Sequence, residues 1–150
     1  MSRRREIQLT PEEKTEFLNG PHKAALATVD KDGFPHVVAM NYMARGDVIY
    51  MTSYGKAQKV VNARRNPKVG VMVESGKRYA ELRGVMIRGY CEVIEDPETV
   101  ANVMREIAGK EAGQAQVPRG PMTSAPKRVV LKVTPHKVST WDHGKLGGRY

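Results

Sequence analysis

Thr52-Ser53 followed by Gly55, Lys56 and Lys59 is a set of residues able to hold a phosphate. Two hydroxyls and a glycine follow a strand-like run, residues 47–51, and lead into a basic segment that Asn66-Pro67 closes. A helix beginning there has unpaired N–H groups in its first turn and the positive end of its dipole, and both favour anions. Lys56 and Lys59 are three apart, so within one helix their ammonium groups share a face and converge on a single ligand. The spacing Gly-x-x-x-x-Gly-Lys-Ser/Thr is absent, which argues against a nucleoside triphosphate held by a P-loop. A solvated basic surface helix is the competing reading of the same residues.

Other chemistry finds little support. His22, His36, His136 and His143 are scattered, and Cys91 is the single cysteine, alternating with apolar neighbours. No Cys-x-x-Cys or His-x-x-x-His spacing offers a metal site, and no Gly-x-Ser-x-Gly elbow offers a nucleophile. No metal is expected. A chain without such constellations does hard chemistry through a bound cofactor, which the protein orients.

The formal net charge of +9 implies an acidic partner: nucleic acid, an anionic membrane surface or a polyanionic small molecule. Aromatic content of 6%, with two Phe and one Trp, is thin for base stacking, so nucleic acid is not expected. No apolar run approaches the roughly 20 residues that cross a bilayer, so no membrane partner is expected either. One cysteine and no secretory signal point to the cytoplasm.

The elements that must position these residues are mostly strands. Thr10-Pro11-Glu12-Glu13 reads as a helix start, with Thr at the cap and Glu three residues on. Residues 24–29 form a buried strand, Asp30 to Gly33 a hairpin turn, and residues 35–42 the return strand. Residues 44–47 turn the chain into a strand at 48–52, and residues 68–74 form the next. Residues 79–95 are long enough for one bent strand or two short ones, with Gly84 and Gly89 marking bulges or corners. Asp96-Pro97-Glu98 opens a helix whose Val100, Val103, Met104 and Ile107 form an apolar stripe suited to core packing. Residues 109–126 are a glycine- and proline-rich lid or connection, and residues 128–134 a last strand. About six antiparallel strands with few helices indicate a mainly β, small curled barrel. At 150 residues it is one domain with a sizeable core, a flexible arm at 1–8 and an extended tail at 135–150.

In order along the chain, Ala25-Leu26-Ala27-Thr28-Val29, Asp32-Gly33-x-Pro35-His36, Tyr50-x-Thr52, Lys59-x-x-Asn62-x-Arg64-x-Asn66-Pro67 and Pro135-His136-Lys137-Val138-x-x-Trp141 resemble the pyridoxamine 5′-phosphate oxidase-like family. The resemblance implies a split β-barrel that binds flavin mononucleotide or the deazaflavin coenzyme F420. It places His36, Val37, Val38, Ala39, Met40 and Asn41 along the ring and ribityl chain, with ordinary core packing as the alternative for Val37, Val38 and Ala39. It also assigns Thr52 and Ser53 as phosphate-facing hydroxyls and Lys59, assisted by Lys56, as the phosphate cation. Trp141 falls where the family sets an aromatic against the cofactor of the partner subunit. The family is homodimeric, with the cofactor between subunits.

Departures matter as much. His36 stands where the vitamin oxidase has arginine, and the C-terminal residues lack its Arg-x-His pattern, so pyridoxine chemistry is not expected. The short chain is more similar to the small reductases that use coenzyme F420, whose phosphodiester and polyglutamate tail suit Lys56, Lys59, Arg64, Lys77, Arg78 and Arg83. The expectation is therefore an F420-dependent oxidoreductase that passes a hydride to a small organic acceptor, with the catalytic proton donor unassigned. An FMN-dependent enzyme, or a non-enzymatic flavin or haem carrier of the same fold, is the alternative.

Overall fold

A computed structural model describes residues 3–112 and 125–149. Arg3–Arg5 form a 3-10 turn, and α1 (Pro11–Leu18) follows with the expected start. Thr10 Oγ1 accepts from the Glu13 amide and the Glu13 carboxylate accepts from the Thr10 amide, a reciprocal cap. Then come β1 (Ala24–Val29), β2 (Pro35–Met40), β3 (Met43–Arg45), β4 (Val48–Tyr54), α2 (Gln58–Arg65), β5 (Lys68–Ser75), β6 (Arg83–Ile94), α3 (Pro97–Glu111) and β7 (Arg128–Asp142), with a 3-10 turn at His143–Leu146.

The strands form one antiparallel sheet in the order β2-β1-β5-β6-β7-β4-β3. The sheet curls. Leu26 of β1, Val71 and Val73 of β5, Ile87 of β6, Leu131 of β7 and Met51 of β4 belong to one buried cluster, so distant strands turn the same face to a shared core. Val60 and Ala63 of α2 complete that core. On the outside of β4 and β7, α3 lays Val100, Val103 and Ile107 against Val130 and Met43. This is the apolar stripe read from the sequence, with Met104 packed at its margin.

Two glycines of β6 allow close approach. At Gly89 the β6–β7 register shifts, and a Cβ there would lie 2.5 Å from the Thr134 carbonyl oxygen. At Gly84 there is no bulge; the missing side chain leaves room for Trp141, whose Cζ2 would lie 2.4 Å from a Cβ.

Several expectations are corrected. Ala44 and Arg45, read as part of a turn, belong to β3, which pairs with β4. Of the two alternatives left open for residues 79–95, the structure has the single strand, twelve residues long and preceded by a 3-10 turn, Tyr79–Glu81. The tail is not a separate extension: residues 135–142 continue β7, whose register with β6 holds to Asp142↔Arg83, and Leu146 beyond it is buried. The described part of the arm is bonded to that strand, since the Asp142 amide donates to the Ile7 carbonyl at 2.7 Å and the Leu9 amide to Thr140 Oγ1 at 3.0 Å. The connection expected at 109–126 lies mostly outside the described residues.

Candidate functional site

Alternation along β2 divides the expected cofactor strand. His36, Val38 and Met40 face the sheet interior, and Val37 and Ala39 face outward, with Val37 61% exposed. Asn41 follows the strand, also exposed. Along β4 the same alternation sends Met51 and Ser53 inward and Thr52 and Tyr54 outward. The last residues of β2 and β4 approach each other, and α3 closes over them. Between these elements lies a cleft of about 380 Å³.

Ala39, Met40, Asn41, Thr52, Ser53 and Lys59 line this cleft, so the structure brings together the phosphate hydroxyls, the expected cation and the end of the cofactor strand. Ser53 is buried and its hydroxyl already donates to the Tyr54 carbonyl at 3.2 Å, which leaves Thr52 as the outward hydroxyl. Lys59 sits in the first turn of α2, whose N-cap is Ala57 with no side-chain cap. The helix is anchored on its other side. Asn62, fully buried, donates from Nδ2 to Thr28 Oγ1 at 3.0 Å and accepts from Gln58 Nε2 at 2.7 Å, and Arg65 donates to the Val29 carbonyl at 2.6 Å. Those bonds fix α2 on β1, so Lys59 is presented from a rigid support.

The remaining expected residues lie elsewhere. Because α2 begins at Gln58, Lys56 falls in the turn before it and does not share a helix face with Lys59. It is exposed and does not line the cleft. Val37 and Val38 lie further down β2, as does His36, whose Nδ1 is buried without a partner. Lys77 and Arg78 belong to the connection from β5 to β6, with Arg78 paired to Glu81. Arg83 lies beside Asp142 and over the Phe17 ring. Trp141 packs over Gly84 and donates from Nε1 to Glu74 at 2.8 Å.

The sequence reading missed several residues of the cleft. Arg128, at the start of β7, is opposite Tyr54 in the β4–β7 register. Its guanidinium carbon lies 4.3 Å from the Tyr54 ring centroid, and its Nε is buried without a hydrogen-bond partner. Met104, Ile107 and Ala108 of α3 supply an apolar wall, and Lys23 and Glu111 stand at the rim. Only a pairing register separated by more than seventy residues brings Arg128 to Tyr54, and no local pattern carries that information.

Lys23, Asn41 and Glu111 are shared with an adjoining annex of about 170 Å³ that also contains His22, Tyr42 and Lys110. Lys110 Nζ donates to the Tyr42 carbonyl at 3.2 Å and sits 3.3 Å from the Tyr42 ring centroid. Burial pulls its pKa down to about 8, against a smaller opposing pull from Glu111. His22 is lowered by burial first, then by Lys110 and Arg83. Burial raises the Tyr42 hydroxyl, which donates to the Leu18 carbonyl, and pushes the Cys91 thiol up to about 12. Cys91 is therefore a poor nucleophile. Among the described residues no group of three His, Cys, Asp or Glu is placed to hold a metal, and no helix is long and apolar enough to cross a membrane.

A curled antiparallel sheet with a basic cleft where its wings meet defines the class: a split β-barrel of the pyridoxamine 5′-phosphate oxidase type. Residues 10–142 match the pyridoxamine 5′-phosphate oxidase family, and the chain belongs to it. Among solved structures, the conserved hypothetical protein Rv2991 from Mycobacterium tuberculosis is 32% identical, with a TM-score of 0.85 over 97% of this chain and 92% of that one. An F420 reductase is 28% identical, with a TM-score of 0.70 over 87% of this chain and 98% of that one. An FAD-binding protein from Mesorhizobium loti, 23% identical with a TM-score of 0.64 over 89% and 94% of the two chains, shares the fold. No curated protein matches the chain.

Proposed function

We propose that this protein is an oxidoreductase that binds reduced coenzyme F420 in the cleft between β2, β4 and α3 and serves its hydride to a small organic acceptor. The observation that carries the reading is the donor set at one point: Thr52, Lys59 and the uncapped first turn of α2, beside an outward strand with small side chains. A phosphate fits such donors, because hydrogen bonds to an ionised group are the stronger kind. The likeness to an F420 reductase supports the choice of deazaflavin.

In this reading Lys59 and Thr52 hold the phosphate, while Ala39 and Asn41 form the floor for the ring. When bound, the cofactor supplies a hydride. The chain's part is to fix its position and exclude water from the apolar side of the cleft, where Met104 and Ile107 stand. Lys23 and Lys110 in the annex are the cations placed to meet an acidic tail. They replace Lys77, Arg78 and Arg83 in that role.

The protein works as a homodimer in this proposal. The outer sheet face carries Pro35, Val37 and Ala39 of β2, Ala25 and Ala27 of β1, and the cross-strand pair Met72 and Met86. Val37 and Met72 are exposed there, and a contiguous apolar face of this kind suits a second copy. Trp141, held by Glu74 at the far end of β6 and β7, then reaches the partner subunit's cleft.

Flavin mononucleotide is the second reading. It is favoured by the small number of cations that line the cleft itself, since a compact monophosphate needs fewer. Titration with coenzyme F420 and with flavin mononucleotide, followed by fluorescence, tests both. Tighter binding of F420 that strengthens with tail length is the expected result. A preference for flavin mononucleotide would transfer the site to the second reading, and binding of neither would remove both.

A further inference from the structure

Besides Lys23 at its rim, the cleft is lined by two cations that arrive from different sides. Lys59 comes from α2, and Arg128 from β7, across β4. Arg128 is shaped for a task of its own. Its guanidinium carbon lies over the Tyr54 ring, its Nε is buried without a partner, and no ion pair among the described residues involves it. A guanidinium is a planar fork that matches a carboxylate, which takes two parallel hydrogen bonds. The facing wall, Met104, Ile107 and Ala108, carries no polar side chain. The one carboxylate of the cleft, Glu111, is exposed at the rim, where Lys23 and Lys110 of the annex flank it.

We propose that Arg128 selects the acceptor: it holds the carboxylate of a planar, unsaturated acid whose apolar body lies against α3. The proposal rests on the cleft being the cofactor site described above. The reaction class is reduction of a carbon–carbon double bond conjugated to the acid. The β-carbon of the acceptor gains a hydride and the α-carbon a proton from water. The π bond is lost, two C–H bonds form, and the reduced cofactor gives up two electrons. Pairing of the carboxylate with Arg128 removes the negative charge that otherwise resists hydride addition.

Binding of two probes by calorimetry tests the assignment without turnover: cinnamate, and methyl cinnamate, which keeps the body and loses the charge. Wild-type protein should prefer the acid by about tenfold or more, as expected when a charged hydrogen-bond partner is lost. Arg128→Met should erase that preference, and Arg128→Lys, which keeps charge without the fork, should restore part of it. Equal affinity for acid and ester in the wild type, or a preference that survives Arg128→Met, overturns the proposal. So does an Arg128→Lys protein that unfolds at the wild-type temperature and shows no preference. The parallel measurement is F420 affinity in Lys59→Ala. If it does not change, the cofactor placement fails on its own, and the acid–ester comparison still decides Arg128.

Discussion

The cations at the cleft and those around the N-terminal arm obey opposite rules. Near the arm they are paired: Lys14 with Asp47 at 2.9 Å, Lys145 with Glu13 at 2.7 Å, and Arg83 beside Asp142 at 3.6 Å. At the cleft, Lys23, Lys59 and Arg128 have no ion pair among the described residues. Paired charges serve the fold, closing the arm, α1 and the end of β7 onto one another. Charges left without a carboxylate cost stability through mutual repulsion and are retained where a ligand supplies the counter-charge. Part of the net charge of +9 thus stands unpaired at the cleft.

The sharpest way to break the contrast is Lys59→Ala. Cofactor affinity should fall by about 1.5–3 kcal/mol, the range for hydrogen bonds to charged groups. The unfolding temperature of the ligand-free protein should hold. A shift in unfolding with unchanged affinity would make Lys59 a structural residue. Gly84→Val attacks the other region. A Cβ there would lie 2.4 Å from Trp141 and 2.8 Å from the Val73 carbonyl oxygen, and overpacking of this kind costs about 1–3 kcal/mol. Denaturant unfolding followed by tryptophan fluorescence should show both the lost stability and a displaced Trp141.

Smaller effects sharpen the comparison. Lys14→Met should lower stability by about 0.2–1 kcal/mol, the range for a partly exposed pair, and 1 M salt should shrink the difference. Ligand affinity should not move. The weakest effect is a pH dependence at Glu13, whose carboxyl is lowered to about 2, first by Lys145 and then by the Thr10 amide. A depressed acid contributes stability that is present above its ordinary value of 4.5 and is lost as pH falls toward 2. Glu13→Gln should therefore unfold sooner than wild type at neutral pH and converge with it near pH 2. A constant gap across that window would assign the loss to something other than ionisation.

What the sequence disclosed followed the range of the interaction. The capping box at Thr10 and Glu13, the Asp30 to Gly33 hairpin and the stop at Asn66-Pro67 are local, and each stands where the residues indicate. Thr52, Lys59 and Asn41 meet at one cleft because the family resemblance carries the tertiary pattern that spacing lacks. The reading went astray where pairing is distant. Residues 135–142 contain Pro135 and two basic residues and look like a tail, but β6 offers a complete partner edge to them. Lys56 was placed on a helix by spacing alone; the uncapped turn at Ala57 starts that helix two residues later. Arg128 carried no local signal, and only the approach of Tyr54 gives it a role.

The place of β7 in the sheet also governs how the molecule is made. It lies between β6 and β4, with residues 49–54 of β4 paired to residues 128–133. The seventh strand in chain order is thus internal, and until it arrives β4 lacks its main partner and the cleft lacks Arg128. Such long-range closure belongs to the slower class of single domains, on the order of milliseconds to seconds. During synthesis β3 and β4 form an orphaned hairpin with an open edge, the part of the nascent chain most exposed to mispairing with a neighbour.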